Sequence, residues 1–398
     1  MASRPLPVEW EPPPGRQDFL IDVNLFWTNF RPKDKSRRML RDHLPLWTWL
    51  GPLAGWLLLA ASLAFSHPLL NVAIGLGLIA AVLAAVHHAE VVAHRVGEPF
   101  GTLVLALAVT VIEVALIVSL MLAGGDSTAA LARDTIFAAI MIILNGMVGL
   151  CLLAGGSRHG EQAFGLYGVN AALATLAAMA VITLILPNTT TTTVGPMYSS
   201  SQLLMIAIAS LVLYGAFVLV QTIRHRDYFL PEGKAAHDEA AHAAPPTTTV
   251  ASVGAVLLLV CLGAVVLLAK ALSPTIEAAV KSAGAPQAVV GIIIAAIVLL
   301  PESLAALKAA RVNRLQTSLN LALGSALASI GLTIPAVAMV SLATGWTLVL
   351  GLDAKGMVLL ALSLIVATLS LGTGRTTVLQ GAVHLVIFAV YLFTTIVP

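Results

Sequence analysis

The chain has 398 residues and a net charge of +2 at pH 7, with 59% of its residues hydrophobic and 10% charged. A soluble chain carries about a quarter charged residues; of the 40 present here, 14 lie in residues 1–42 and 7 in residues 224–242. What remains cannot present a wetted surface, which excludes a soluble enzyme, a nucleic-acid-binding protein and a disordered scaffold.

Residues 1–17, MASRPLPVEWEPPPGRQ, contain no apolar run, so a cleavable signal peptide is not expected, and residues 1–44 are expected to form a basic cytoplasmic arm. Eleven apolar segments follow, each long enough to span about 30 Å of hydrocarbon: 45–65, 68–92, 100–123, 134–155, 166–187, 201–223, 250–272, 286–308, 316–342, 356–372 and 377–397. Pro, Gly and polar clusters such as AGGDST, GGSRHGEQ, LPNTTTTTVGP and KALSPT are read as breaks between them. A transmembrane β-barrel would show segments of about ten residues with alternating polarity. These runs are apolar on every face, so the fold class is an all-α polytopic membrane protein of about eleven transmembrane helices. Cys151 and Cys261 lie inside apolar runs and are expected to be free thiols.

With a cytoplasmic N-terminus, 17 Lys and Arg residues fall on inside segments and four (Arg133, Lys270, Lys281, Lys355) outside. The expected location is the cell (inner) membrane, multi-pass, with the C-terminus outside. An odd number of spans fits one leading helix (45–65) plus two five-helix repeats of opposite orientation, 66–223 and 250–398. Residues 224–249 form the linker, with His225, Asp227, Glu232, His237, Asp238, Glu239 and His242. It lacks the spacing of an EF-hand loop and is read as a solvated cytoplasmic connection, with calcium or pH sensing as the alternative.

The third span, GEPFGTLVLALAVTVIEVALIVSLML, and the eighth, APQAVVGIIIAAIVLLPESLAALKAA, share a Gly/Pro-containing start, an apolar stretch and one Glu, Glu113 and Glu302. Each leads into a helix with small or polar residues, Asn145-Gly146 in one half and Gly324-Ser325 with Ser329 in the other. Three acids, Glu90, Glu113 and Glu302, are counted within the apolar spans. A charge at the bilayer centre costs about 2.5–3.5 kcal/mol on insertion scales, so paired mid-membrane acids indicate an ion site where inverted repeats meet. Pro301 frees backbone carbonyls beside Glu302. Thr110, Asn145, Ser303, Ser325 and Ser329 supply neutral oxygens of the kind a hard cation takes, although such residues also serve as packing positions. His87, Glu90 and His94 share one face of the second span near its cytoplasmic end and are expected to form a vestibule or proton relay; an interfacial polar cap and a transition-metal site are the alternatives.

GEPFGTLVLALAVTVIEVAL and PESLAALKAARVNRLQTSLNLALGSALASIGLTIP resemble the two signature repeats of calcium/proton exchangers of the cation/calcium exchanger superfamily. The bacterial calcium-or-sodium/proton antiporters are the most similar group. The resemblance covers about residues 45–397 and implies one leading helix plus two inverted five-helix repeats, with Glu113 and Glu302 as shared cation and proton ligands. This chain departs from the common pattern in having Val111-Ile112 ahead of the first Glu, Ile140-Met141 in the following helix and Ser329 in the second repeat. The expected activity is secondary cation/proton antiport, foremost Ca²⁺ extrusion against H⁺. Na⁺ or K⁺ exchange through the same site, a cation channel and an intramembrane metalloenzyme are the alternatives. No ATP-binding loop and no cofactor are expected. The expected partners are the lipid bilayer and the transported ions.

Overall fold

A computed structural model describes residues 43–65, 67–97, 100–124, 128–230 and 245–397. Residues 1–42 of the basic arm, residues 231–244 of the linker and Pro398 lie outside the described residues.

The described chain is built from helices: α1 (Leu46–Ala64), α2 (Pro68–Val96), α3 (Phe100–Gly124), α4 (Leu131–His159), α5 (Leu166–Asn188), α6 (Ser200–Arg224), α7 (Thr248–Ser282), α8 (Ala288–Val298), α9 (Leu300–Arg311), α10 (Leu315–Thr344), α11 (Ala354–Leu371) and α12 (Val378–Ile396). Among the described residues nine helices are long and apolar enough to cross a membrane, and a tenth span is the bent pair α8–α9. The 25-residue α3 stands between α2 and α4. Each helix falls on an apolar segment expected from the sequence, including the short segment at 356–372, which is the 18-residue α11.

One boundary differs. The sequence suggests a break at KALSPT after residue 272, yet α7 continues through Pro274 to Ser282. Pro274 withholds a donor from the carbonyl one turn back, which belongs to the exposed Lys270. The count of acids is corrected as well: Glu277, brought in by the extension of α7, and Asp134, at the edge of the expected span 134–155 and on α4, join Glu90, Glu113 and Glu302 on membrane helices.

Helices α4 and α10 are the most deeply buried spans, and α1, α6 and α12 are among the most exposed. The halves α2–α6 and α7–α12 interlock across their interface. The acid-bearing α3 packs on α10, and α8 packs on α4. Gly291 lets α8 touch the α4 backbone, where an added methyl group would stand 3.0 Å from the Thr135 nitrogen. Helices α2 and α7 run antiparallel along each other: Gly254 near the start of α7 lies against His88 and Val91 late in α2, and Gly75 early in α2 faces Leu272 late in α7.

At one end the halves are clasped by a two-stranded antiparallel ribbon. Strands β1 (Gln162–Ala163) and β2 (Arg375–Thr376) pair Gln162 with Thr376 and Ala163 with Arg375, and Arg375 forms an exposed ion pair with Glu161 at 3.0 Å. The Asn313-Arg314-Leu315-Gln316 motif belongs to the same end. Asn313, at φ 60°, turns the chain from α9 to α10 and accepts a hydrogen bond from Gln162 Nε2 at 2.9 Å. Gln316 accepts from the Gly165 amide at 2.6 Å and donates to Asn320 at 2.9 Å. Asn320 donates in turn to the Phe229 carbonyl at the start of the linker, 2.6 Å away.

Candidate functional site: two acids at the interface of the halves

Glu113 lies halfway along the unbroken α3 and is buried, 4% exposed. Its partners come from the other half of the molecule. Thr333 Oγ1 on α10 donates to Glu113 Oε2 at 3.1 Å, and Ser329, one turn earlier on the same face of α10, also hydrogen-bonds the carboxylate. Thr110 is buried one turn before Glu113. Sequence reasoning finds Ser329 and Thr110 but misses Thr333; the i to i+4 spacing from Ser329 is the available signal.

Glu302 is held differently. The helix breaks at Leu299, and α8 and α9 meet at an angle of 56°. Pro301 occupies the first turn of α9 and has no N–H to give the Ile297 carbonyl. The break places Glu302 in the first turn of α9, where the helix dipole favours an anion. The carboxylate hydrogen-bonds its own backbone N–H. Its Oε2 is buried and has no hydrogen-bond partner among the described residues. An oxygen so placed has lost water and gained nothing in return, a costly arrangement that a cation or a proton relieves. Both Glu113 and Glu90 lie within electrostatic reach of Glu302. Ser303 donates its hydroxyl to the Leu299 carbonyl at 2.7 Å, leaving its own lone pairs free. Ser325 lies half-buried on α10, one turn before Ser329.

Asn145 is turned toward other partners. It sits in a π-helical turn, Ile142–Met147, within α4. Its Nδ2 donates to Ser363 Oγ on α11 at 2.8 Å, and its Oδ1 is 3.1 Å from His384 Nδ1 on α12. All three side chains are fully buried. The amide expected beside the acids therefore ties α4 to the last two helices. His384 gives no sequence signal, because its partner Asn145 is more than 200 residues away.

The vestibule residues divide. Glu90 is exposed on α2 and interacts electrostatically with His87 and Glu302. His87 Nε2 is 2.9 Å from the His43 carbonyl, and its ring packs 5.4 Å from that of Trp47. His94 is exposed near the end of α2. Among the described residues no three His, Cys, Asp or Glu side chains converge as a metal-holding group. His88, which sequence reasoning does not single out, is fully buried with Nε2 3.1 Å from the Thr48 carbonyl, fastening α1 to α2.

A cavity of about 20 Å³, room for about one water, lies among Leu116 and Leu120 of α3, Ser273 and Ile276 of α7, and Ile294 and Ile297 of α8. Leu116 stands one turn past Glu113 on α3, so this apolar space lies further along α3 than the acid.

Comparison with known proteins agrees with this architecture. A family model described as sodium/calcium exchanger protein matches residues 66–223 and 253–397. A protein of Sinorhizobium fredii described as a candidate ionic transporter, y4hA, is 52% identical over 370 residues, 92% of this chain and 100% of that one. The sodium-potassium/proton antiporter ChaA of Escherichia coli is 39% identical over 320 residues, 80% of this chain and 86% of that one. Among solved structures, native YfkE superposes with a TM-score of 0.67 at 17% identity, covering 89% of this chain and 99% of that chain. The H⁺/Ca²⁺ exchanger CAX superposes with a TM-score of 0.64 at 16% identity, covering 90% and 89%. At these identities the structural likeness concerns the fold.

Proposed function

Because the chain belongs to the sodium/calcium exchanger protein family, a family of multi-pass membrane transporters, we propose that it is a secondary antiporter that extrudes Ca²⁺ from the cytoplasm in exchange for H⁺, with Glu113 and Glu302 as the shared ligands. The observation that carries this reading is the position of the two acids. One comes from each half, they feel each other's charge, and one of them keeps an unpartnered buried oxygen. Two ionised carboxylates facing one dehydrated space are costly when empty. A single Ca²⁺ neutralises both and takes up to four oxygens from them, out of the six to eight it requires. Thr110, Ser303, Ser325, Ser329, the Ile297 carbonyl and water complete the shell, and Asn145 holds the neighbouring helix in place. Protons neutralise the same acids in the return step. If only the neutralised states change access, exchange is obligatory and leak is small.

The N-terminus is placed in the cytoplasm and the C-terminus outside, in the inner membrane, on the asymmetry of basic residues. The chain then divides into an arm at 1–44, a leading helix at 45–65, repeats at 66–223 and 250–398, and a cytoplasmic linker at 224–249. Glu90, with His87 and His94, lies at the inner mouth.

A second reading is Na⁺ or K⁺ exchange for H⁺ through the same pair, favoured by the 39% identity to a protein named a sodium-potassium/proton antiporter. Proton flux in everted vesicles on addition of Ca²⁺, Na⁺ or K⁺ tests both. Proton release on Ca²⁺ addition supports the first, and release with the monovalent ions alone replaces it with the second. No release with any cation removes antiport.

A further inference from the structure

We propose that Glu277, together with Ser273, collects the cation at the mouth of the path opposite Glu90, a role that rests on the exchange reading above. Three observations on different helices lead to it. First, α2 and α7 form the antiparallel pair on which the two acid-bearing spans are built, and each carries one acid toward its C-terminal end. Glu90 precedes Glu113 by 23 residues and Glu277 precedes Glu302 by 25. Because the helices are antiparallel, the two acids stand at opposite ends of the pair.

Second, the apolar cavity is lined on α7 by Ser273, the residue that hydrogen-bonds Glu277. Its lining includes Leu116, one turn past Glu113, and Ile297, four residues before Pro301. On α7 its lining is Ala269, Ser273 and Ile276. On an exit route from the acids away from Glu90, the side-chain oxygens that α7 offers beside this apolar space are those of Ser273 and Glu277.

Third, those oxygens are organised. Ser273, 2% exposed, donates its hydroxyl to Glu277 Oε1 at 2.9 Å. The half-buried carboxylate is fixed on the helix wall with its second oxygen available. A fixed carboxylate at a narrow low-dielectric mouth raises the local cation concentration. The ligand class is a hard, partly hydrated cation that takes oxygen donors, the same ion the site acids carry.

The test measures cation half-saturation from each face, in right-side-out and everted vesicles, for the wild type, Glu277→Gln, Glu277→Asp, Ser273→Ala and Glu90→Gln. Glu277→Gln should raise half-saturation roughly three- to ten-fold on one face only, the face that Glu90→Gln leaves unchanged. The shift should shrink at high ionic strength, and Glu277→Asp should stay near wild type. Ser273→Ala should shift the same face in the same direction, which keeps the test open if Glu277→Gln inserts poorly. Equal effects on both faces, or none on either, would overturn the proposal: a Glu277 that only balances the charge of Lys281, one turn further along α7, would give equal loss. Wild-type vesicles without any cation-driven proton movement would instead overturn the exchange reading, and this one with it.

Discussion

Thr333 gives its hydroxyl hydrogen to Glu113 across 3.1 Å, and so joins the acid of one half to the most buried helix of the other. Hydrogen bonds to charged groups contribute about 1.5–3 kcal/mol, and the shape of a threonine is matched by valine apart from the hydroxyl. Thr333→Val should therefore weaken apparent Ca²⁺ affinity about ten-fold or more while the protein still inserts. Ser329→Ala should act in the same direction, and the double variant should depart from additivity because both hydroxyls serve one carboxylate. Cation titrations of proton flux in vesicles measure all three.

The paired acids make a stricter demand. Glu113→Gln and Glu302→Gln keep shape but remove the charge that a divalent ion must meet. Each alone should abolish Ca²⁺/H⁺ exchange with normal amounts of protein in the membrane. Exchange at the wild-type rate in either variant would end the two-carboxylate mechanism.

The dependence on pH is set by the number of protons displaced. A divalent ion on two acids displaces up to two protons, and a sodium ion at most one. Half-saturation by Ca²⁺ should fall as pH rises through the range where the site takes up protons, with a slope approaching two decades per unit; for Na⁺ the slope should not exceed one. Half-saturation measured between pH 6 and 8 for both ions distinguishes the slopes. Equal slopes for both ions would count against a shared pair.

Pro301 should matter to transport more than to stability. Pro301→Ala restores a donor for the Ile297 carbonyl and allows α8 and α9 to straighten from their 56° bend. Transport should fall about ten-fold or more, since misplacing a ligand by an ångström carries costs of that order. The melting temperature in detergent should hold or rise. A variant with normal flux would show that the break is only a kink.

Orientation has its own readout. A reporter active only in the cytoplasm, fused after Pro398, should give no signal, and one fused before Met1 should give a strong one.

The membrane fold is legible in the sequence because twenty-residue apolar runs have few alternatives, and the acids stand out because so few charges interrupt those runs. Much of the rest depends on distance along the chain. Thr333 lies 220 residues from Glu113, and His384 lies 239 from Asn145, so neither contact leaves a local pattern. Asn145 shows the limit from the other side. Its type and place suggest a cation ligand, but a π-helical turn directs its amide to Ser363 and His384. Glu277 escapes a sequence reading because Pro274 looks like the end of a span, although α7 continues through it to Ser282.

The break at Leu299 belongs to one half only; α3 runs through Glu113 without interruption. Had the two halves been identical, the forms open to either face would be related by a two-fold rotation and equal in energy, and an unloaded molecule would spend half its time in each. The unmatched bend removes that degeneracy, so one form is the resting state even with identical solutions on both sides. A bias of about 1.4 kcal/mol would already hold ten molecules in one form for each in the other. Such a molecule still runs in whichever direction the gradients dictate, but its turnover in the two directions is unequal. It is a reversible exchanger with a built-in preference for which face it waits on.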